Sequence, residues 1–213
     1  MASHAPDGPA GRGFYLAIDG PDGSGKSTLA GLAADALAGS GLEVVVRAEP
    51  ERNGPLWPAI RDHRLSGEYP DETWLLVLAA ASLAMQKRPG GTLDLRSAGM
   101  WVITDRSPLS MLAHYWRSVD GDLRDALISR FTPPDLLILL TPDSPGLLRR
   151  RLRVRGEAEE HIDETVRAWE NYGEAGGWLA QRGWPVVSVD IMDDTGTEAV
   201  WQSIWKRIRG TSP

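Results

Sequence analysis

Three groups of residues in this chain have types and spacings that suit phosphate chemistry. The first is "GPDGSGKST", Gly20 to Thr28, where Gly20, Gly25, Lys26 and Ser27 satisfy the pattern Gly-x-x-x-x-Gly-Lys-Ser. Glycines let such a loop turn its successive N–H groups toward phosphate oxygens, and a helix starting at its end adds partial positive charge. The lysine then reaches the β- and γ-phosphates, and the serine hydroxyl binds Mg²⁺. The second group is "WVITDRS", with Asp105 at the end of an apolar run and Arg106 beside it. A carboxylate there can hold the water shell of Mg²⁺, and an arginine's planar fork can clamp an acceptor phosphate. The third is the run Arg149, Arg150, Arg151, Arg153 and Arg155. On a helix Arg149 and Arg153 share a face, as do Arg151 and Arg155, and like charges at that spacing repel unless anions neutralise them. Two sources of anion are open. One is the neighbouring acidic stretch, with Glu157, Glu159, Glu160 and Asp163. The other is nucleotide phosphate, with the arginines on a lid that closes over ATP. The loop before Lys26 has no arginine or lysine, so this run is the obvious supply of charge for a transferring phosphoryl group.

These groups need elements to place them. Phe14 to Ile18 reads as a first strand, and Ser27 to Ala38 as a first helix with apolar residues at helical spacing. "LEVVVRAEP" reads as a second strand whose three valines suit a buried parallel position. Asp71 to Lys87 is a long apolar helix with an acidic first turn. "RPGGTLDLRSAG" reads as a loop, and "MWVITD" as a third strand. "PLSMLAHYWRS" and "DLRDALISRF" read as helices, and "PDLLILLTP" as a fourth strand. The arginine-rich segment is helical to Gln181 with a break near Gly156; "WPVVSVD" is a fifth strand and "TEAVWQSIWKRI" a closing helix. Alternating strands and helices predict an α/β fold, a parallel sheet covered on both faces. Right-handed crossovers then bring all strand C-termini to one edge. The Gly20 loop, Glu49, Asp105 and Thr141 all fall there.

Composition narrows the function further. The chain has 213 residues, a net charge of -6 and no cysteine. The acidic balance disfavours a general nucleic-acid binder. The absence of thiols excludes disulfides and thiolate metal sites and fits a reducing, cytoplasmic setting. No apolar run approaches the roughly 20 residues of a membrane-spanning helix. Residues 1–12, rich in Pro, Gly and Ala, read as a tail, and residues 13–210 as one domain with a lid over about 149–163. Most of the nine tryptophans are expected in the core. Trp57 and Trp74 fall in segments that would line an acceptor pocket and could stack on a flat ring.

From about Phe14 to Ile208 the chain resembles the thymidylate kinase family of P-loop nucleoside monophosphate kinases. "IDGPDGSGKST" is similar to its phosphate loop, including the aspartate at Asp22, and Glu49-Pro50 to its Arg-Glu-Pro after strand two. "VITDRS" is similar to its Asp-Arg-Tyr segment, and "PPDLLILLTPDSPGLLRRRLRVRGEAEEHID" to its fourth strand and lid. The resemblance implies a P-loop fold with a five-stranded parallel sheet, ATP and Mg²⁺, a homodimer, and reversible transfer of the ATP γ-phosphoryl group to an acceptor phosphate. It implies that Gly20, Asp22, Gly23, Ser24, Gly25, Lys26, Ser27 and Thr28 bind ATP together with Arg149. Ser27 and Asp105 would hold the metal. Asp22 would lie near the acceptor sugar or the metal, Arg106 would take the acceptor phosphate, and Arg153 and Arg155 would act from the lid.

The acceptor side departs from the family pattern. Ala48 stands where the family has arginine before Glu-Pro, and Arg47 is one step away, which in a strand means the opposite face. Ala81 and Ser82 stand where the family has Asp-Arg, whose arginine reads the base. Ser107 replaces a tyrosine, Ser110 and Ala113 fit, and Met111, His114 and Tyr115 replace polar or base-contacting positions. Glu49, Trp57, Trp74, Arg106, Ser110 and His114 are the acceptor-site candidates. The leading expectation is a kinase acting on a nucleoside monophosphate, dTMP or a related nucleotide. A second is a kinase for a hydroxyl of a nucleoside or other small molecule, with Glu49 as base. A third is a nucleotide-binding regulatory protein without an acceptor.

Overall fold

The computed structural model describes residues 13–63, 68–192 and 196–210, so the expected tail over 1–12 lies outside the described residues. The elements run β1 (Tyr15–Asp19), α1 (Lys26–Gly39), β2 (Val44–Ala48), α2 (Trp57–His63), α3 (Asp71–Lys87), α4 (Thr92–Ser97) and β3 (Trp101–Asp105). They continue with α5 (Pro108–His114), α6 (Gly121–Ile128), β4 (Leu136–Pro142), α7 (Pro145–Val154), α8 (Glu159–Gln181), β5 (Val186–Ile191) and α9 (Thr197–Gly210). The five strands pair in parallel in the order β2-β3-β1-β4-β5.

Side chains alternate across a strand, so β1 feeds two cores. Tyr15 and Ala17 pack with α3, α5 and α8 on one face, through residues such as Leu75, Leu109 and Leu179. Leu16 and Ile18 pack on the other face with α1 and α9, through Leu29, Leu37, Trp201 and Ile204. β4 repeats the split, with Leu137 and Leu139 on the first face and Ile138 and Leu140 on the second. β1 and β4 are therefore almost wholly apolar, as burial on two faces requires.

Two readings of the sequence change. β2 lies at the edge of the sheet rather than inside it, and Val46 is 46% exposed. "TLDLRS", expected as loop, is the short helix α4, held from outside its own sequence: Arg96 is buried and pairs with Asp135 before β4. The segment after β2 contains α2, whose Ile60 reaches the first core.

Strand register decides which polar residues meet. Ile18 pairs with Asp105, and Ala48 pairs with Asp105 from the other side. The ladder runs one step further, with Glu49 N–H donating to the Asp105 carbonyl and Arg106 N–H to that of Ile18, each at 2.8–2.9 Å. Asp19, Glu49, Asp105 and Arg106 thus reach the same sheet edge.

Candidate active site

The phosphate loop leaves β1 and enters α1 through backbone shapes that only glycine adopts easily. At Gly20, φ is 140°, and a Cβ would lie 2.6 Å from the Leu140 carbonyl oxygen. Gly25 has φ 100° and is the N-cap of α1. It has no side chain to occupy the first-turn N–H groups, which leaves them to a phosphate. Lys26 opens the helix. It is not solvent-facing: it is 5% exposed, and its ammonium donates to the Pro21 carbonyl at 2.9 Å. Burial, followed by the charge of Arg106, lowers its pKa to about 8. The Ser27 hydroxyl is exposed and donates to Asp105 Oδ2 at 2.5 Å, so these two oxygens lie side by side at the mouth of the loop. An alcohol and a carboxylate are hard oxygen donors that suit Mg²⁺, a cation that keeps most of its waters and takes one or two protein oxygens beside substrate phosphates. No cluster of three or more His, Cys, Asp or Glu suited to a metal occurs among the described residues.

Asp22 is the hub of the site. Its Oδ1 pairs with Arg106 and lies 3.5 Å from the Lys26 ammonium, and its Oδ2 lies 3.4 Å from His161 Nε2 on α8. Burial works against its charge, but the His161 hydrogen bond and the charges of Arg106 and Lys26 outweigh it and hold its pKa far below the usual carboxylate range. Arg106 has φ 84°, a left-handed backbone rare outside glycine. Asp19 positions the segment beyond Arg106. This fully buried carboxylate accepts from the Gly20 and Ser107 N–H groups at 2.7 and 2.8 Å. It accepts from the Ser107 and Ser110 hydroxyls at 2.6 Å each and from the Ser110 N–H at 3.2 Å. One side chain therefore ties the start of the phosphate loop to the first turn of α5, across the strained residue between them.

Three cavities meet here. The first, on the side where the acceptor is expected, is lined by Glu49, Arg52, Trp57, Ser82, Arg106, Ser110, Met111 and His114 among others. Glu49 is 2% exposed at its wall, and its Oε1 has no hydrogen-bond partner among the described residues. Burial, followed by the charge of Asp19, raises its pKa to about 8. A second cavity lies over the loop between α1, α7 and α9, lined by Gly23, Ser24, Gly25, Thr28, Arg150, Arg151 and Val154 among others. Arg151 also donates to the Gly23 carbonyl at 3.3 Å. Between them lies a transfer cavity whose walls carry five cationic side chains, Lys26, Arg52, Arg106, Arg155 and His161, and three carboxylates, Asp22, Asp105 and Glu157.

Most of the expected residues meet in these cavities. Arg155 lines both the loop cavity and the transfer cavity. Arg149 and Arg153 line none of the three. Arg149 pairs with Asp163 at 2.8 Å, and Arg153 pairs with both oxygens of Glu159 at 2.8 and 3.1 Å, so the acidic stretch neutralises that face of the run. Trp57 lines the first cavity, whereas Trp74 is 4% exposed and packs in the first core, in a T-shaped contact with Tyr69. Arg47 turns away from the cavity and donates to the Gly90 carbonyl at 2.9 Å. Three site residues escaped sequence reasoning. Asp19 had a signal, an acid closing β1 immediately before the loop. Arg52 had a weaker one, a cation three residues after Glu49. His161 sat in an acidic run and had none.

Comparison with known proteins agrees with this geometry. The family model described as thymidylate kinase matches residues 18–180. A thymidylate kinase of Xylella fastidiosa (strain M12) is 36% identical over 157 residues, covering 72% of this chain and 69% of that protein. A thymidylate kinase of Thermomicrobium roseum is 33% identical over 204 residues, covering 90% of this chain and 94% of that protein. Among solved structures, thymidylate kinase from Candida albicans superposes with a TM-score of 0.72 at 21% identity, covering 93% of this chain and 92% of that one. A phosphate loop, an Asp-Arg turn at the next strand end and a sheet of matching topology are thus joined by sequence identity along nearly the whole domain, and the chain belongs to the thymidylate kinase family.

Proposed function

We propose that this chain is an ATP-dependent kinase that moves the γ-phosphoryl group of ATP to the phosphate of a nucleoside monophosphate, dTMP or a close relative. The observation that carries the proposal is the position of Asp22. It holds Lys26 of the phosphate loop and Arg106 of the acceptor side against one carboxylate, in the cavity between the two substrate cavities. ATP lies over the loop, with its phosphates on the first-turn N–H groups of α1 and on Lys26. The acceptor lies between α2, α3 and α5, with its phosphate on Arg106. Arg52 adds a cation at the mouth of that cavity, and Trp57 supplies a flat apolar wall for the base.

An oxygen of the acceptor phosphate bonds to the γ-phosphorus, and the bond from that phosphorus to the β,γ-bridging oxygen breaks, its electron pair staying with ADP. No protein nucleophile takes part, and the chain's contribution is position and charge. Ser27 and Asp105 are the residues that would hold Mg²⁺, which when bound neutralises phosphate oxygens. Asp22 keeps Lys26 and Arg106 oriented before substrate arrives. Arg155 faces the transfer cavity from the end of α7, and the segment over about 149–163 closes as the lid. The working unit is a homodimer of one-domain chains in the cytoplasm, joined through the outer face of α3, where Leu76 is 44% exposed. No described helix is long and apolar enough to cross a membrane.

The test is ADP release with ATP and Mg²⁺ across dTMP, dUMP, the other nucleoside monophosphates and free nucleosides. Turnover with one or more monophosphates is the expected result. Turnover with free nucleosides alone would replace the proposal with a hydroxyl kinase using Glu49. ATP binding without turnover of any acceptor would leave a regulatory nucleotide-binding protein.

A further inference from the structure

The first turns of α8 carry a cation that the arginine run hides. His161 is 27% exposed and faces the transfer cavity alongside Lys26, Arg106 and Arg155. Its Nε2 points to Asp22 Oδ2 at 3.4 Å, and its Nδ1 lies 3.8 Å from Glu164 Oε2 one turn further along the helix. The two carboxylates, Asp22 first, raise its pKa to about 10, so the ring is an imidazolium at neutral pH. Asp22 therefore faces three cations with one negative charge. Arg149 and Arg153 of the neighbouring run are already matched by Asp163 and Glu159.

We propose that His161 is a catalytic residue of the phosphotransfer, an imidazolium that turns from Asp22 to the transferring phosphoryl group when both substrates are bound, with Glu164 as the positioning residue that holds Nδ1. The proposal rests on the kinase reading above. His161 acts by charge and an Nε2–H donor alone. The acceptor oxygen bonds to phosphorus, the bond to the β,γ-bridging oxygen breaks with its electrons on ADP, and no proton leaves the ring. Glu164 also reaches the acceptor side, since its Oε1 lies 3.5 Å from His114 Nδ1. The lid cation and the acceptor wall thus share one carboxylate.

Steady-state kinetics with ATP, Mg²⁺ and dTMP test this on the full chain. His161→Ala should lower kcat about 100-fold, as loss of one transition-state donor does, with KM for ATP and for dTMP within about threefold of wild type. His161→Arg, which keeps the charge, should recover kcat to within about tenfold of wild type, and Glu164→Gln should lower it by about tenfold. Thermal unfolding of each variant at the wild-type temperature shows that the fold is kept. A kcat for His161→Ala within about threefold of wild type would overturn the proposal while wild-type turnover keeps the kinase reading. An Arg variant as slow as the Ala variant would also overturn it, because charge would not be what the ring supplies. A wild-type enzyme that turns over no nucleoside monophosphate would overturn the kinase reading and this role with it.

Discussion

Glu49→Gln isolates a single buried proton. Glu49 comes directly after β2, is 2% exposed, and receives a long contact, 3.5 Å, from the Tyr15 hydroxyl to its Oε2. Burial and then Asp19 raise its pKa from 4.5 to about 8. The folded protein therefore keeps a proton that the unfolded chain has already released at neutral pH. The stability linked to this group is fully present below about pH 4.5 and is lost as the pH rises through about 8. A displacement of that size corresponds to about 5 kcal/mol, an upper figure because the cavity admits water. The glutamine variant is neutral at every pH and nearly the same shape. Urea unfolding of both proteins at pH 5, 6.5 and 8 and constant ionic strength gives the difference directly. Titrating groups that do not interact with Glu49 cancel in that difference. The glutamine variant should gain several kcal/mol on the wild type between pH 5 and 8, with unchanged m values, on the order of the figure above. Parallel stability curves for the two proteins would refute the reasoning and mean that Glu49 is ionised in the native state.

Three further outcomes concern the transfer site and the dimer. Arg155→Ala should lower kcat by about 100-fold or more, whereas Arg153→Ala should stay within about threefold, because an exposed pair with Glu159 contributes little; equal losses in the two variants would show that the lid rearranges fully on closing. Arg106→Ala should raise the acceptor KM at least about tenfold and lower kcat while ATP binding, followed by fluorescence titration, changes little. An effect on ATP alone would remove Arg106 from the acceptor phosphate. Light scattering at micromolar concentration should give twice the 23.2 kDa of one chain, and Leu76→Glu should shift it toward the single chain; a single-chain mass for the wild type would dismiss the α3 interface.

What could be read from the sequence was whatever is local. The phosphate loop is a contiguous strand–loop–helix whose glycines answer to backbone geometry at their own positions, and α3 declares its first residue with acids and its length with apolar spacing. β2 was misplaced because three valines in a row suit an edge strand as well as a central one when helices cover part of it. α4 was missed because six residues cannot form a stable helix alone, and its anchor, Asp135, lies 39 residues beyond Arg96. The arginine run announced positive charge but not its direction. Which arginines stay available depends on how α7 sits against α8, and that packing assigns Arg149 and Arg153 to acids and leaves Arg155 lining the transfer cavity. His161 depended on the same packing and left no trace in a pattern of types and spacings.

The same distinction explains why the acceptor side looks altered while the donor side looks intact. On the proposed reading the ATP phosphates are met by backbone N–H groups and one lysine, all within one short loop, and those groups tolerate little change. The acceptor cavity is assembled from the ends of β2 and β3 and from α2, α3 and α5, so each wall can change independently. Two of its hydroxyls, on Ser107 and Ser110, do not read the acceptor freely, because both donate to buried Asp19 and hold the turn at Arg106. Ser82, protonated Glu49 and His114 remain as polar groups for a base, and none carries the fixed charge of an arginine reader. A pocket that reads the base without a fixed charge discriminates less steeply than one that leaves a charge unpaired when the wrong base binds. Positive charge, by contrast, gathers where the phosphate would lie: Arg52 lines the cavity, and Arg106, Lys26 and His161 converge on Asp22. On the proposed reading, binding energy is concentrated on the acceptor's phosphate rather than its base, which is where a phosphoryl-transfer site needs positional accuracy.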